Sequence, residues 1–305
     1  MPARDPVLVS GATGLVGRRL VAALLRDGVT VRALSRNPAR SGFDARVDTR
    51  AWNGRDVPVE AIAGASAIVH LAGEPVFGGL LSPARRRRIR ASRIDSTRSI
   101  VSRLHALPRS EQPAVLVCAS AVGYYGSRGE ALLEESAEPG SGFLAEVCVE
   151  WEAAAAAADD LGVRSVSLRT GIVLAREGGA LPAMALPFRF GLGGRIGDGR
   201  QWIAWIHVDD LVRLVQACLA SDTYRGPVNA VAPEPVTNAQ LTRALARGLR
   251  RPALLPVPAF ALRLALGDLA AELLASRCVV PRRALEAGFS FEYTSLEAAL
   301  RAEMG

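Results

Sequence analysis

A glycine-rich segment near the start of the chain is the first place where residue types and spacing indicate chemistry. It follows the apolar run VLVS at residues 7–10 and opens an amphipathic stretch that ends at Gly28. In such a strand–loop–helix unit, one glycine permits a tight turn, a second lets the backbone approach a pyrophosphate, and a third allows close helix–sheet packing. The helix start offers N–H groups and a positive dipole end to the phosphates. We therefore predict a dinucleotide site made by Gly11, Ala12, Thr13, Gly14, Leu15, Val16 and Gly17.

The second predicted strand, TVRAL, carries the signal for which dinucleotide binds. A carboxylate near its end would bond the adenosine ribose hydroxyls of NAD, but here the strand is followed by Ser35 and Arg36. A hydroxyl and a guanidinium suit a 2′-phosphate, which a carboxylate would repel. The pattern favours NADP(H) as the cofactor. The alternative is that Arg36 is an ordinary loop arginine.

Strand-like and helix-like segments alternate through the first half of the chain, which predicts an α/β fold of the doubly wound, parallel-sheet Rossmann type. A smaller, mainly helical C-terminal substrate lobe is expected to follow. We predict that residues 1–175 with 203–232 form the Rossmann domain, and residues 176–202 with 233–305 the substrate lobe. The predicted strands read VLVS, TVRAL, SAIVHLAG, AVLVCAS, SVSLRTGIVL and PVNAVA.

Composition excludes several classes of protein and site. The four cysteines are far apart and form no CxxC pair, and the three histidines are scattered, so neither a metal site nor a disulfide framework is expected. The N-terminus lacks a signal-peptide pattern, and the apolar stretch 259–275 is broken by charged residues. We expect a cytoplasmic protein with no membrane partner.

The basic residues are all arginines, and the net charge is +7. The run Arg85–Arg88 is the one segment that points to nucleic acid. No aromatic residues alternate with it, and the residues after it have helical periodicity, so we interpret the run as a solvated helix face and expect no nucleic-acid partner.

Beyond these local patterns, the chain resembles a known family. The segments GATGLVG, SAIVHLAG, ASAVGYYG, LRTGIVLA and WIHVDDL occur in the order seen in extended short-chain dehydrogenase/reductases. AGEP, SRIDST and VVPRRALEAGFSFEY are similar to the YfcH-like branch of epimerase-family (NAD-dependent epimerase/dehydratase-like) proteins. The resemblance covers essentially the whole chain, but it implies no particular substrate.

The resemblance implies roles for residues at the ends of the predicted strands SAIVHLAG and AVLVCAS and just after them. Ser120 matches the serine that bonds the reacting oxygen of the substrate, and Tyr124 and Tyr125 are expected near the nicotinamide side of the cleft. For these three the alternatives are a structural serine and aromatic packing. Further residues are expected to border the cofactor: Leu71, Ala72, Gly73 and Arg93, the last standing where many relatives have a helix asparagine.

The superfamily's usual catalytic pair, a tyrosine followed four residues later by a lysine, is missing. The corresponding helix reads Phe143-Leu-Ala-Glu-Val147, and the chain contains no lysine. Phe143 is expected to point toward the nicotinamide. Two classes of function stay open: an NADP(H)-dependent oxidoreductase or epimerase of an unknown small molecule, whose acid–base group is rearranged around Ser120, Tyr124 or Tyr125, and a catalytically silent NADP(H)-binding redox sensor or scaffold. A homodimer is also left open.

Two further expectations concern the second half. The glycine-rich segment 178–202 is expected to form part of the rim of the substrate cleft. The HVDDL sequence offers His207, Asp209 and Asp210 as an acid–base group, but a helix start capped by an aspartate is the favoured interpretation.

Overall fold

The computed structural model describes residues 6–253 and 255–304. Within them, a central sheet of seven parallel strands carries the fold. Its strands are β1 (Val7–Ser10), β2 (Val31–Ser35), β3 (Val47–Ala51), β4 (Ala67–His70), β5 (Val115–Ala121), β7 (Arg164–Thr170) and β12 (Gly226–Ala230).

The strand order is β3-β2-β1-β4-β5-β7-β12. The chain therefore runs outward from β1 in one direction, crosses back, and continues from β4 in the other. In open parallel sheets, ligands bind at such a reversal, in the crevice beyond the carboxyl ends of the strands. In this chain that crevice lies between the ends of β1 and β4.

Helices cover both faces of the sheet, as the sequence predicts. One apolar cluster joins the sheet to α1 and α6, and a second joins the opposite face to α2, α3 and α4. These helices are α1 (Leu15–Arg26), α2 (Val59–Ile62), α3 (Pro83–His105), α4 (Phe143–Ala156) and α6 (Val208–Ala220).

A third apolar cluster lies outside the central sheet and joins α5, α7 and α11. The C-terminal part is mainly helical, as expected. The domain boundaries at 175, 202 and 232 stay a prediction. The remaining helices are α5 (Leu181–Arg189), α7 (Asn238–Leu249), α8 (Ala259–Leu266), α9 (Leu269–Leu274), α10 (Arg282–Glu286) and α11 (Leu296–Met304).

Short strands form three small sheets beside the central one. One contains β8 (Ile172–Ala175), β9 (Gly178–Gly179) and β11 (Trp205–His207). The other two pair β10 (Trp202–Ile203) with β13 (Val236–Thr237), and β6 (Leu132–Leu133) with β14 (Cys278–Val279).

Two strand predictions differ from the structure. SVSLRTGIVL divides into β7 and β8 at Gly171, where a β-carbon would lie 2.7 Å from the carbonyl oxygen of Ala204, so the chain can leave the central sheet there. Strand β3 is absent from the sequence prediction. It is an edge strand, and Asp48 and Arg50 give it a polar sequence that hides the apolar alternation typical of buried strands.

The basic run at the start of α3 is only partly solvated. Arg85 is buried and donates to the carbonyl oxygen of Pro75 (2.6 Å), and Arg86 pairs with Asp268, whereas Arg87 and Arg88 are exposed. Within the described residues, no helix is long and apolar enough to cross a membrane.

Candidate active site

The glycine loop has the close contacts that the sequence predicts. Gly11 has φ +68°, and a β-carbon on it would lie 2.7 Å from the carbonyl carbon of Leu71. A β-carbon on Gly17 would lie 2.3 Å from the carbonyl oxygen of Gly11, so only glycine allows α1 to pack this closely on the loop. Helix α1 begins after Gly14 with no side-chain cap and no acidic residue in its first turn. Its first N–H groups are therefore available to an anion.

The end of β2 places Arg36 at an open hollow. Ser35 is buried and accepts the Asn37 N–H (3.2 Å), whereas Arg36 is exposed and forms no ion pair within the described residues. The hollow has a volume of about 520 Å³ and is lined by Arg36, Ala51, Trp52, Asn53, Asp56 and Pro58.

Trp52 and Asn53 line this hollow, and the sequence did not predict them there. They follow β3, the strand that it did not predict, so nothing indicated that they meet Arg36. The indole N–H of Trp52 is buried and has no hydrogen-bond partner among the described residues.

The loop after β4 lies against the glycine loop. The Leu71 N–H donates to the carbonyl oxygen of Ser10 (3.2 Å), and Leu71 and Ala72 face Gly11. Gly73 packs on the guanidinium of Arg93, which donates to the carbonyl oxygen of Glu74 (2.9 Å) and lies 5.2 Å from the Trp151 ring centroid. Burial lowers the pKa of Arg93 from its ordinary value. Arg93 therefore holds the loop in place.

Beneath this loop, His70 at the end of β4 joins two elements. Its ring nitrogens lie 2.6 Å from the Ser10 hydroxyl and 3.0 Å from the Ser96 hydroxyl. Burial, and then the charge of Arg93, lower the pKa of His70 to about 4. A neutral imidazole thus connects β1, β4 and α3 below the crevice.

Ser120, near the end of β5, belongs to a buried polar network. Its hydroxyl donates to Glu152 Oε1 (2.6 Å), and Arg169 donates to both oxygens of that carboxylate (2.9 and 2.8 Å). Burial alone lowers the pKa of Arg169, but the hydrogen bonds and charge of Glu152 raise it above its ordinary value. Glu152 and Arg169 were not predicted to meet Ser120, although the helix and the strand that contain them, α4 and β7, were both predicted.

The two tyrosines have different surroundings. Tyr124 is half-buried, the Arg169 guanidinium carbon lies 3.4 Å from its ring centroid, and its hydroxyl has no hydrogen-bond partner among the described residues. Tyr125 is fully buried; its hydroxyl donates to Asn229 (2.6 Å) and accepts from Arg169 (2.9 Å). Burial raises the pKa of Tyr125 to about 12. This placement does not favour Tyr125 as a proton donor, because the residue bridges two buried strands.

The face of α4 that packs against the turn after β5 contains Leu144 and Cys148, each one position beyond Phe143 and Val147. Gly123 faces Leu144 and Cys148, with its β-carbon position 3.5 Å from Leu144 Cβ and 3.9 Å from Cys148 Sγ. Phe143 instead lies under Arg86, 4.8 Å from the guanidinium carbon to the ring centroid. The expectation that Phe143 points toward the nicotinamide stays a prediction, and its ring contact is with Arg86 at the start of α3. The residues in the i and i+4 positions are a leucine and a cysteine, and burial raises the pKa of Cys148 to about 11.

The second half of the chain reaches the glycine loop through the β8–β9 hairpin. A β-carbon on Gly179 would lie 3.0 Å from a methyl group of Leu15, so the start of segment 178–202 lies beside the glycine loop, and its place on the rim of a substrate cleft stays a prediction. His207 is itself the cap of α6, accepting the Asp209 N–H (3.2 Å), so the prediction of an aspartate cap is wrong. Asp210 is buried and accepts the N–H groups of Glu292 and Tyr293 (2.9 Å each).

Comparison with known proteins identifies the family of this chain. Residues 7–230 match the NAD dependent epimerase/dehydratase family. The chain belongs to this family. Residues 257–303 also match a domain of unknown function, DUF1731.

The similarity between this family member and its relatives covers nearly the whole chain. It is 40% identical to an Arabidopsis thaliana chloroplastic epimerase family protein, the SDR39U1 homolog, over 98% of this chain and 86% of that protein. It is 38% identical to the epimerase family protein Mb2239 of Mycobacterium bovis, over 96% of each.

One solved structure is similar throughout its length. Human epimerase family protein SDR39U1, crystallised with NADPH, is 30% identical, with a TM-score of 0.86 over 98% of this chain and 99% of that chain. At 19% identity and a TM-score of 0.77, UDP-glucose 4-epimerase of Thermus thermophilus shares the fold.

Proposed function

We propose that this family member binds NADP(H) and is an oxidoreductase or epimerase that acts on a small-molecule alcohol or carbonyl. The observation that carries the proposal is the pairing of an uncapped, acid-free start of α1 with an exposed, unpaired Arg36 at the end of β2. The first suits a pyrophosphate and the second an adenosine 2′-phosphate. The NADPH-bound human relative supports the same cofactor.

The residues present fit that cofactor. Gly11 and Gly17 let the loop pack closely on Leu71 and α1, Gly14 leaves the start of α1 without a side chain, and Arg36 and Trp52 line the hollow where an adenosine end would lie. Leu71, Ala72 and Gly73 would border the bound cofactor, as the family resemblance implies. When bound, NADP(H) supplies or accepts the hydride.

The chain's own residues would orient the substrate and move its proton. Ser120 donates to Glu152, so its oxygen lone pairs are free to accept a hydrogen bond from a substrate hydroxyl. A proton leaving that hydroxyl would reach Glu152 through Ser120, and Arg169 would hold the carboxylate in place. The unpaired Tyr124 hydroxyl would complete the polar side of the site. This arrangement would replace the missing tyrosine–lysine pair.

A second candidate is a cofactor-binding protein without turnover. The observation that favours it is the apolar Leu144 at the position facing Gly123, with the buried Cys148 one turn further along α4. Neither side chain is a proton donor suited to neutral pH, because burial raises the pKa of Cys148 to about 11. A redox sensor or scaffold needs the cofactor site alone.

A labelled-hydride experiment separates the two candidates. NADPH carrying deuterium at nicotinamide C4 is incubated with the protein and a library of aldehydes, ketones, quinones and sugar nucleotides, and products are searched for deuterium by mass spectrometry. Ser120→Ala and Glu152→Gln serve as comparison variants. Deuterium transfer that both variants diminish supports the enzyme. NADPH binding without transfer to any compound, together with no epimerised product when NADP⁺ replaces NADPH, supports the silent protein, and absence of NADPH binding contradicts both.

A further inference from the structure

The C-terminal part of the chain exposes an unusual set of large apolar side chains. Leu264 is 88% exposed, and Phe190 and Phe260 are 73% and 72% exposed. Burying such groups is worth more than leaving them in water, so a cluster of them indicates a binding surface. We call the following residues the apolar rim: Leu186, Phe190, Leu192, Leu255, Phe260 and Leu264.

Backbone contacts bring the segments of the apolar rim together. The loop after α5 runs beside the segment before α8, with the Val257 N–H donating to the carbonyl oxygen of Arg195 (2.8 Å) and the Gly197 N–H to that of Val257 (2.9 Å). Gly194 packs directly on the backbone of Leu255. Residues four apart lie on one side of a helical turn, which aligns Phe260 with Leu264.

The two segments that carry the apolar rim adjoin, along the chain, residues that contact the candidate active site. At one end, α5 begins just after Gly179, which contacts Leu15 at the glycine loop. At the other end, α8 is followed by Asp268, which pairs with Arg86, and the Arg86 guanidinium lies over Phe143 at the start of α4. The two segments that carry the apolar rim are therefore connected to the glycine loop through the residues before α5 and to the start of α4 through Asp268 and Arg86.

The opposite side of the crevice also exposes apolar groups. Phe77 and Leu80, on the loop between β4 and α3, are 61% and 60% exposed. Arg86 donates to the carbonyl oxygen of Leu81 (3.2 Å) while it pairs with Asp268, so this loop lies close to the end of α8. Apolar side chains thus border the entrance from both sides.

The two segments that carry the apolar rim have arginines as their only charged residues; Asp198 and Asp268 directly follow them, and Asp268 is paired with Arg86. Segments 181–197 and 249–267 contain no aspartate or glutamate, and their charged residues are Arg189, Arg195, Arg250, Arg251 and Arg263. Two copies of such a surface would repel each other, which disfavours a homodimer through it. An apolar surface whose own segments carry only arginines as charged residues is complementary to an apolar chain that carries an anionic group.

We infer that the substrate of this family member is an anionic amphiphile, whose apolar chain lies along the apolar rim while its reacting end enters the crevice near Ser120. The inference rests on the proposed function and names its substrate class. It sets this chain apart from a sugar-nucleotide enzyme, because a strongly polar substrate gains nothing from exposed phenylalanine and leucine side chains.

The test measures binding of 11-(dansylamino)undecanoic acid by fluorescence, with the protein saturated by NADPH. Straight-chain carboxylates of increasing length are then added as competitors below their micelle concentrations. Because each buried methylene contributes to binding, competition is expected to strengthen about two- to fourfold per methylene until the rim is filled. A trimethylammonium compound of matched chain length is expected to compete poorly.

Matched variants distinguish binding at the apolar rim from nonspecific binding to other exposed apolar side chains. Phe260→Ser with Leu264→Ser is expected to weaken the probe about tenfold or more. Leu132→Ser with Leu285→Ser, which also removes two exposed leucines but outside the apolar rim, is expected to leave probe affinity unchanged. All the altered side chains are exposed, and NADPH affinity measured on the same samples shows that both variants are folded.

Five outcomes would overturn the inference. NADPH binding without saturable probe binding, or equal loss in both double variants, removes the proposed substrate class but leaves the proposed function intact. Rim-dependent sedimentation with phosphatidylglycerol vesicles, without saturable probe binding, assigns the surface to a bilayer. A dimer that the rim variant abolishes assigns it to a second copy. Failure to bind NADPH contradicts the proposed function itself.

Discussion

The hydroxyl of Ser120 donates to Glu152 Oε1 at 2.6 Å, and this contact joins the end of β5 to the middle of α4. The same carboxylate receives two hydrogen bonds from the buried Arg169. One acidic side chain thus organises both the serine that the family resemblance indicates and the cation beneath Tyr124.

Glu152→Gln should therefore destabilise the protein. The Arg169 side chain is only 3% exposed, and removing the charge of its partner leaves a buried cation without compensation. We expect a loss of about 3 kcal/mol in the free energy of unfolding, measured with urea. Glu130→Gln, which alters an exposed ion pair with Arg200, should change it by less than about 0.5 kcal/mol. Similar effects of the two variants would contradict this account.

Arg36→Ala should weaken NADPH binding selectively. Losing a charge-assisted hydrogen bond to the 2′-phosphate corresponds to about 1.5–3 kcal/mol, or roughly ten- to a hundredfold in affinity. NADH lacks that phosphate, so its affinity should stay nearly the same. Titration calorimetry with both cofactors measures the effect, and Arg87→Ala, an exposed arginine on α3, is the control. An equal loss for NADPH and NADH would show that Arg36 does not read the phosphate.

Gly14→Val should abolish NADPH binding in a folded protein. Gly14 is the exposed residue before α1, and a β-carbon there would already lie 3.2 Å from the carbonyl oxygen of Gly11, so valine would fill the approach to the helix start. Calorimetry and circular dichroism on the same sample test binding and folding separately. Intact NADPH binding by the folded variant would refute the pyrophosphate site.

The position of the missing catalytic pair can be tested by restoring it in two registers. Leu144→Tyr with Cys148→Lys would face Gly123, and we expect it to gain NADPH-dependent reduction of small activated carbonyls, even though burying a lysine is unfavourable. Phe143→Tyr with Val147→Lys keeps the same spacing but is turned toward Arg86, and it should gain none. Absorbance of NADPH follows both reactions. Activity in the second variant alone would reverse our assignment of the helix face.

Acid should destabilise the protein through His70. Its pKa is about 4 in the folded chain and about 6.5 when unfolded, so the unfolded state takes up protons first as the pH falls. The contribution is fully present above about pH 6.5 and declines toward pH 4, by about 2 kcal/mol at about pH 5. Urea unfolding at several pH values measures it. His70→Gln should flatten this part of the profile, whereas the exposed His105→Gln should leave it unchanged; a profile that His70→Gln leaves steep would exclude His70 as the source.

The sequence by itself determined the parallel sheet, the helices on both faces and the glycine loop. These features follow from local patterns: apolar strands, amphipathic helices, and glycines at positions where Gly11 and Gly17 allow no side chain. Arg36 was also predicted, because the residue after the second strand is fixed by the strand itself.

Tertiary structure decided which side chains meet. Trp52 joins Arg36 only because the polar edge strand β3 lies beside β2, and a polar edge strand has no apolar alternation to predict it. Glu152 reaches Ser120 across 32 residues, and the packing of α4 brings Leu144 and Cys148 against the turn at Gly123 while Phe143 lies under Arg86. Helical periodicity specifies spacing along a helix, but the direction in which a face points depends on how the helix packs against its neighbours.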